Sequence, residues 1–433
     1  MLSVLRHSWA LFLGLLLLMI GNGLQGTLLG LRGAIEGFSA ATMSYVMAAY
    51  FLGFLIGSRL TPHMIRRVGH VRVFAALASL ISAAFILYAA LPHPISWGLM
   101  RLLVGLCFSG VYVVCESWIN GNATNDTRGQ ALSLYVVIQM VGIISAQGLL
   151  NVADAGQYTL FVAMSVLVSV SFAPILLSAS PAPVFETTKP MSLRALFNAS
   201  PLGMVGTFLL GGVFAAMFGM APVFATEVQL TTAQTSIFVA AIYTGGMLLQ
   251  VPIGWLSDRM DRRRVILGTT ALGAATMALA MPFLGVFWIT CIAGFVVGGV
   301  ANPLYSLLIA YTNDFLEHDD MAAASGGLIF TNGLGAILGP VVVGAMMGTM
   351  GAWSYFLFIG ILFAAIALYA LYRMTQRAAP TADETAAYQV VLPQSSPVAV
   401  EVAQEIAIDM AQEEAVAEAE AEALAEPTPA APR

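Results

Sequence analysis

Arg101 and Glu116 are the only two Asp, Glu, Lys or Arg side chains in an apolar stretch that runs from about residue 95 to 118. On a helix, the fifteen steps between them rise about 22 Å and leave about 60° between the side chains, so both lie on roughly one face near opposite ends. Charges set so deep in apolar sequence are costly to desolvate, and each is a functional candidate unless a partner is evident. Glu116 has two readings. The favoured one is an ion pair with Arg66, Arg67 or Arg72 of a nearby basic loop; the other is a carboxylate that gains and loses a proton. Among uncharged residues in comparable stretches, Asn22 and Gln25 lie one turn apart, Gln139 sits in mid-stretch, and Tyr243, Gln250, Asn302, Tyr305 and Asn332 follow later. For any of these an interhelical hydrogen bond competes evenly with contact to a solute. The chain carries no nucleotide-binding P-loop, metal-ligand cluster or nucleophile-base pair, so the expectation is no enzyme, no cofactor and no metal.

The elements that must position these groups are long and apolar. Of 433 residues, 59% are hydrophobic and 9% charged, with a mean hydropathy of +0.86, and the charges collect between apolar stretches. A lipid bilayer, about 30 Å thick in its hydrocarbon core, is the natural solvent for such a chain, and each crossing needs about 20 residues. On that ruler spans fall near 9–31, 38–60, 71–91, 95–118, 130–150 and 158–178, and again near 202–226, 235–256, 265–284, 286–312, 322–348 and 352–374. The fold class expected is all-α and polytopic, with twelve transmembrane helices in two pseudo-symmetric six-helix bundles. The domains are 1–178, a polar, proline-rich linker at 179–200, 201–375, and an acidic tail at 376–433. Cys107, Cys115 and Cys291 all fall inside spans and read as buried free thiols.

Basic residues set the expected orientation, because loops on the cytoplasmic side retain Lys and Arg. With the N-terminus inside, that side receives Arg59, Arg66, Arg67, Arg72, Arg128, Lys189, Arg194, Arg259 and Arg262 to Arg264, among others, while Arg32 and Arg101 alone fall toward the opposite face. Both termini are then cytoplasmic. The basic loops report topology and carry no expectation of nucleic-acid binding. The halves read as repeats: Thr124-Asn125-Asp126 returns as Thr312-Asn313-Asp314, and each half has its densest basic cluster between its second and third spans. The tail from Pro380 holds eleven acids and one base, against a whole-chain charge of −6, so the rest of the chain is at +4. Low hydrophobicity with like charge favours a disordered, solvated tail, dispensable for folding. Val402, Ile406 and Met410 at i, i+4, i+8 leave a short amphipathic helix as the alternative.

Gly254-Trp255-Leu256-Ser257-Asp258-Arg259-Met260-Asp261-Arg262-Arg263-Arg264 resembles the loop signature of the major facilitator superfamily, with Asp261 in a glycine place. The first-half copy, Pro62 to Arg72, keeps Arg67, Gly69 and Arg72 but puts Pro62 and Arg66 in the glycine and aspartate places. Arg101-Leu102-Leu103-Val104-Gly105 resembles the family's fourth-helix pattern, and Glu116-Ser117-Trp118-Ile119-Asn120 with Arg128-Gly129 is similar to the poorly characterised YcaD-like branch. The resemblance covers residues 1 to about 375.

The resemblance implies alternating access, with helices 1, 4, 7 and 10 lining a central cavity. That promotes Asn22, Gln25, Arg101, Asn302 and Tyr305 as cavity residues. It also implies a cytoplasmic latch made by Arg66, Arg67, Gly69, Arg72, Gly254, Asp258, Arg259, Arg262 and Arg263, in which Asp258 pairs with arginines. Gly335, Gly339 and Pro340 on the eleventh span permit a bend, with close packing as the alternative. Phe214, Met217, Phe218 and Met220 suit a small amphipathic or apolar solute. The function expected is secondary active transport of a small solute, driven by protons, by a monomer in a bacterial inner membrane. A non-transporting receptor or assembly factor is the rival. Membrane lipid is the remaining expected partner.

Overall fold

The computed structural model of the chain describes residues 8–122, 125–176, 191–376, 388–396, 398–407 and 409. Bulk apolar sequence with no water to satisfy its backbone leaves the helix as the local solution, and the described residues are helical with no strand. The first half contains α1 (Trp9–Ile35), α2 (Ala40–Val68), α3 (His70–Ala90), α4 (Pro94–Asn122), α5 (Asn125–Leu149) and α6 (Thr159–Ser171). The second contains α7 (Pro201–Glu227), α8 (Thr232–Ser257), α9 (Arg262–Ala280), α10 (Phe287–Asn313), α11 (His318–Met350) and α12 (Ser354–Gln376). Among the described residues eleven helices are long and apolar enough to cross a membrane; the sixth place is taken by the shorter apolar segment Thr159–Ile175. Most of the linker lies outside the described residues, and Leu193–Ala199 at its end forms a short helix capped by Ser192.

The two halves repeat one packing scheme. Within the first, α2 packs on α4, α1 on α5 and α3 on α6; within the second, α8 packs on α10, α7 on α11 and α9 on α12. Across the halves α2 meets α11, α5 meets α8, and α1 meets the C-terminal part of α7. In the tightest pairs the backbones touch. A Cβ on Gly105 would lie 2.0 Å from the Tyr50 carbonyl oxygen, and in the mirror pair a Cβ on Gly298 would lie 2.0 Å from that of Ile242. Small residues allow this approach where lipid supplies no hydrophobic drive between helices. Gly105→Val is therefore expected to lose most folded, monodisperse protein in detergent, since forced overpacking costs about 1–3 kcal/mol or more. Gly98→Ala, on the same helix with open space around it, is the neutral control, and equal yields for the two variants would refute the packing argument.

Two of the departures from regular helix bear on residues singled out above. Gly69 joins α2 to α3 at φ +84°, a conformation that L side chains rarely adopt, which gives this glycine of the signature a local reason. In α7 the residues Ala216–Met220 form a π turn. Pro222 has no N–H for the Phe218 carbonyl four residues back, and a wider turn absorbs that loss. By contrast α11 runs unbroken through Pro340. Its Gly335 and Gly339 sit against the α7 backbone at Phe208 and Gly212, so close packing accounts for them.

The face bearing the basic loops differs most from expectation. Residues 388–407 are packed between the two halves there, with a helix over 398–407, and Val391, Leu392, Ala399, Val400 and Ala403 join the common core. This corrects the reading of a wholly solvated tail. Eleven of the twenty residues at 388–407 are apolar, in runs too short to span a bilayer, and they become a packing face only against a cleft made by other helices. Val402 is buried and Ile406 partly so, while Met410 and the Glu-rich end lie outside the described residues.

Candidate functional site

The arginine of α4 is buried at a cavity that both halves line. Arg101 is 5% exposed, its guanidinium carbon stands 4.6 Å from the centroid of the Tyr50 ring, and Nη2 donates to the Met47 thioether at 3.3 Å. Its Nε has no partner, and none of the ion pairs among the described residues involves it. Beside it is a cavity of about 90 Å³ lined from both halves. The first half contributes Asn22, Thr27, Tyr50, Phe51, Arg101, Tyr112 and Ile143; the second contributes Phe218, Gly219, Val239 and Tyr243, and Gln394 of the tail also lines it. Phe218 stacks on Tyr243 with centroids 4.7 Å apart, and Asn22 donates to the Tyr112 hydroxyl at 3.2 Å.

Of the five cavity residues expected from sequence, Asn22 and Arg101 line this cavity. Gln25 instead donates to the Tyr88 hydroxyl at 3.0 Å inside the first half. Asn302 turns back onto the Gly298 carbonyl of its own helix at 3.2 Å, and Tyr305 is fully buried, edge-on to Phe214. The helix numbers carried by resemblance did not resolve which face of each helix turns inward. Tyr50 and Tyr243, which supply most of the aromatic polar lining, come from α2 and α8; sequence reading named Tyr243 among the polar span residues and missed Tyr50.

One turn beyond Tyr112, toward the basic face, Glu116 is 3% exposed. It accepts from the Tyr135 hydroxyl at 2.8 Å and the Ser396 N–H at 3.0 Å, and it also accepts from the Ser396 hydroxyl. The favoured pairing with Arg66, Arg67 or Arg72 is thus replaced by neutral donors. Those arginines are exposed at the end of α2 and the start of α3, whereas Glu116 points into the interior cleft. On α5, Gln139 lies one turn from both Tyr135 and Ile143, fully buried with neither amide atom bonded. Ile143 lines the cavity and Tyr135 holds Glu116, so a polar residue stands on the stripe between the two sites.

The latch residues also have partners other than those expected. Asp258 accepts from the Tyr388 N–H of the tail at 2.9 Å in place of an arginine, and the Tyr388 ring occupies the space that a Cβ on Gly254 would need, at 2.6 Å. Arg262 pairs with Asp314 at 2.5 Å, with side chains 3% and 2% exposed, and donates to Ser257. Arg259 stacks on Trp255 with its guanidinium carbon 4.3 Å from the ring.

Asp261, the departure from the loop signature, caps α9 by accepting from the Arg263 N–H and pairs with the Arg263 guanidinium at 3.0 Å. Burial alone would raise its carboxyl, but these Arg263 contacts hold it below the ordinary value. A depressed carboxylate stabilises the fold above its unfolded pKa and loses that contribution as pH falls through the folded one. Asp261→Asn keeps a capping side chain, so it should cost under about 1 kcal/mol at neutral pH for a partly exposed pair. The deficit should vanish in acid, and a melting temperature difference that persisted below the carboxylate range would refute this.

The comparisons with known proteins agree with this architecture. The family model described as Major Facilitator Superfamily matches residues 11–249 and again 203–405. A relative in Escherichia fergusonii, called an uncharacterised MFS-type transporter YcaD, is 26% identical over 348 residues, covering 79% of this chain and 89% of that protein. Its counterpart in Escherichia coli O17:K52:H18 is 28% identical over 355 residues with the same coverage. Among solved structures, a mutant of the nucleoside transporter NupG superposes with a TM-score of 0.72 at 15% identity, over 84% of this chain and 99% of that one. A bacterial homologue of the human lysosomal transporter Spinster, in an inward-facing and unoccupied conformation, gives 0.64 at 13% identity, over 94% and 98%.

Proposed function

The chain belongs to the Major Facilitator Superfamily, and on that premise we propose that it is a secondary active transporter that carries a small solute by alternating access, coupled to protons. The observation that carries this reading is the cavity shared by the two halves, with the unpaired cation of Arg101 at its wall. A site at a repeat interface can be opened to either side by rocking one half against the other. Its structural neighbours include a nucleoside transporter and a fucose:proton symporter, so solute transport and proton coupling both occur on this fold.

The halves are closed on the face opposite the basic loops. Asn151 donates to Ser236 at 3.1 Å, and Gly30 and Gly344 receive Pro222 and Ser44 at distances that leave no room for a Cβ. On the basic face the tail lies between the halves. Glu116, buried with neutral donors and one turn from the cavity-lining Tyr112, is the proposed proton carrier.

The test is uptake of a mixed metabolite extract into proteoliposomes holding the purified chain, with and without an imposed proton gradient, read by mass spectrometry. Gradient-dependent enrichment of a small solute is expected. Retained binding with no flux of any solute would reverse the reading in favour of a receptor or assembly factor. Orientation is tested separately. Reporter fusions after Lys189 and after Arg377 should report cytoplasm, and fusions near Ile35 and Ala155 the opposite side; an outside signal after Lys189 would rule out this topology.

A further inference from the structure

Resting on the transport reading above, we propose that the cavity takes a small organic monoanion with a flat apolar body, a carboxylate above all, seated against Arg101. A buried guanidinium without a counter-ion is an expensive arrangement, because its lost hydration is not returned by an opposite charge. Arg101 is in that position: its contacts are a thioether, a weak acceptor, and the face of Tyr50, and its Nε is unbonded. An anion arriving in the cavity supplies the missing charge, and the planar guanidinium fork matches the two oxygens of a carboxylate. One cation neutralises one charge, so a dianion would bring an uncompensated charge into the same apolar surroundings.

The remaining wall specifies the body. Tyr50, Phe51, Phe218 and Tyr243 present aromatic surface, with Phe218 and Tyr243 already stacked, which suits a planar ring.

The test measures binding by isothermal titration to the purified full chain, using benzoate, phenylacetate and cinnamate, each paired with its uncharged primary amide. Each acid that fits should bind more tightly than its amide, by about tenfold or more, as expected for a charge-assisted bidentate contact. Arg101→Gln should abolish the preference and Arg101→Lys should keep part of it. If no acid binds, if acids and amides bind alike, or if a folded Arg101→Gln protein keeps the preference, the proposal is wrong. Acid-selective binding with no flux in proteoliposomes would remove the transport reading and leave the subsite. Flux of a neutral solute without acid preference would do the reverse.

An independent set of contacts concerns the tail, and here the geometry points to residues 388–407 as the chain's own occupant of the cleft on the basic face, a brake that must leave before the halves part there. The segment is bonded to both halves. It meets the first through Ser396 on Glu116 and Glu405 on Arg128 at 2.6 Å. It meets the second through Tyr388 on Asp258 and Gln250, Val391 on Ser306 at 3.0 Å, and Gln404 on Ser325 and Asn313. Its Gln394 reaches the solute cavity. A strap held at both ends opposes any motion that separates its anchors, and Ser396 also occupies the carboxylate proposed to carry the proton.

Gln394→Cys provides the readout, because Cys107, Cys115 and Cys291 are all buried. In the full chain the new thiol should react slowly with a water-soluble maleimide. Adding Gly254→Leu, which fills the seat of the Tyr388 ring, should speed labelling by about tenfold or more, the scale of losing a contact of about 1.4 kcal/mol. Equal, fast labelling in both proteins would show that the segment is not docked. Equal, slow labelling would show that it is held without the Tyr388 anchor, and either result overturns the proposal.

Discussion

Glu116→Gln, reconstituted in vesicles, retains solute exchange and loses accumulation driven by a proton gradient. The carboxylate is buried and held by Tyr135 and Ser396, both neutral donors. Glutamine keeps an oxygen in reach of these groups, so the local packing survives the change, whereas the titrating proton does not. Exchange needs no net proton movement and so is spared; accumulation needs the residue to load and unload a proton in each cycle. The expected loss is the whole gradient-driven component. Full accumulation with unaltered pH dependence would end the coupling role of Glu116. Asp314, another buried carboxylate, is bound to Arg262, which leaves it poorly placed to release and recover a proton.

That Arg262–Asp314 pair carries the second large effect. Both side chains are almost fully buried where the start of α9 meets the end of α10. Removing one partner takes a short ionic contact from the other buried charge, so Arg262→Met or Asp314→Leu alone should lose stability, by up to about 3–5 kcal/mol. The double replacement removes both charges and leaves two apolar side chains, so it should be markedly more stable than the sum of the single losses implies. Melting in detergent of the four proteins closes the cycle. Single losses that simply add would mean that the pair is not coupled and that its short separation has no energetic consequence.

The same pair shows where sequence reading ran out. Thr312-Asn313-Asp314 and the arginine cluster at Arg262 to Arg264 were both visible as signals, one as a repeat and one as a loop signature, yet nothing in their spacing joined them. The favoured partner for Glu116 follows from its expected place at the basic end of the fourth span, and the cleft presents Tyr135 and Ser396 instead. Gln25 and Asn22 are one turn apart on α1, but a turn is enough to send Asn22 to the cavity and Gln25 to Tyr88.

Span length, helix order and the two-half plan of this protein are local properties, settled by runs of apolar residues that must satisfy their own backbone in lipid and by charges that cannot enter it, and the sequence alone determined them. Glycine spacing within α2, α4, α8 and α10 was equally present in the chain, though which backbone each glycine admits depended on a neighbour. The partner of every buried polar group was decided only by tertiary structure, because a helix sets the faces of its side chains and leaves its own rotation to packing. The tail belongs to the same class. Its composition describes a solvated segment, and Tyr388, Val391, Leu392 and Ser396 become interior residues only because two bundles leave between them a cleft with a glycine for the ring and a carboxylate for the serine.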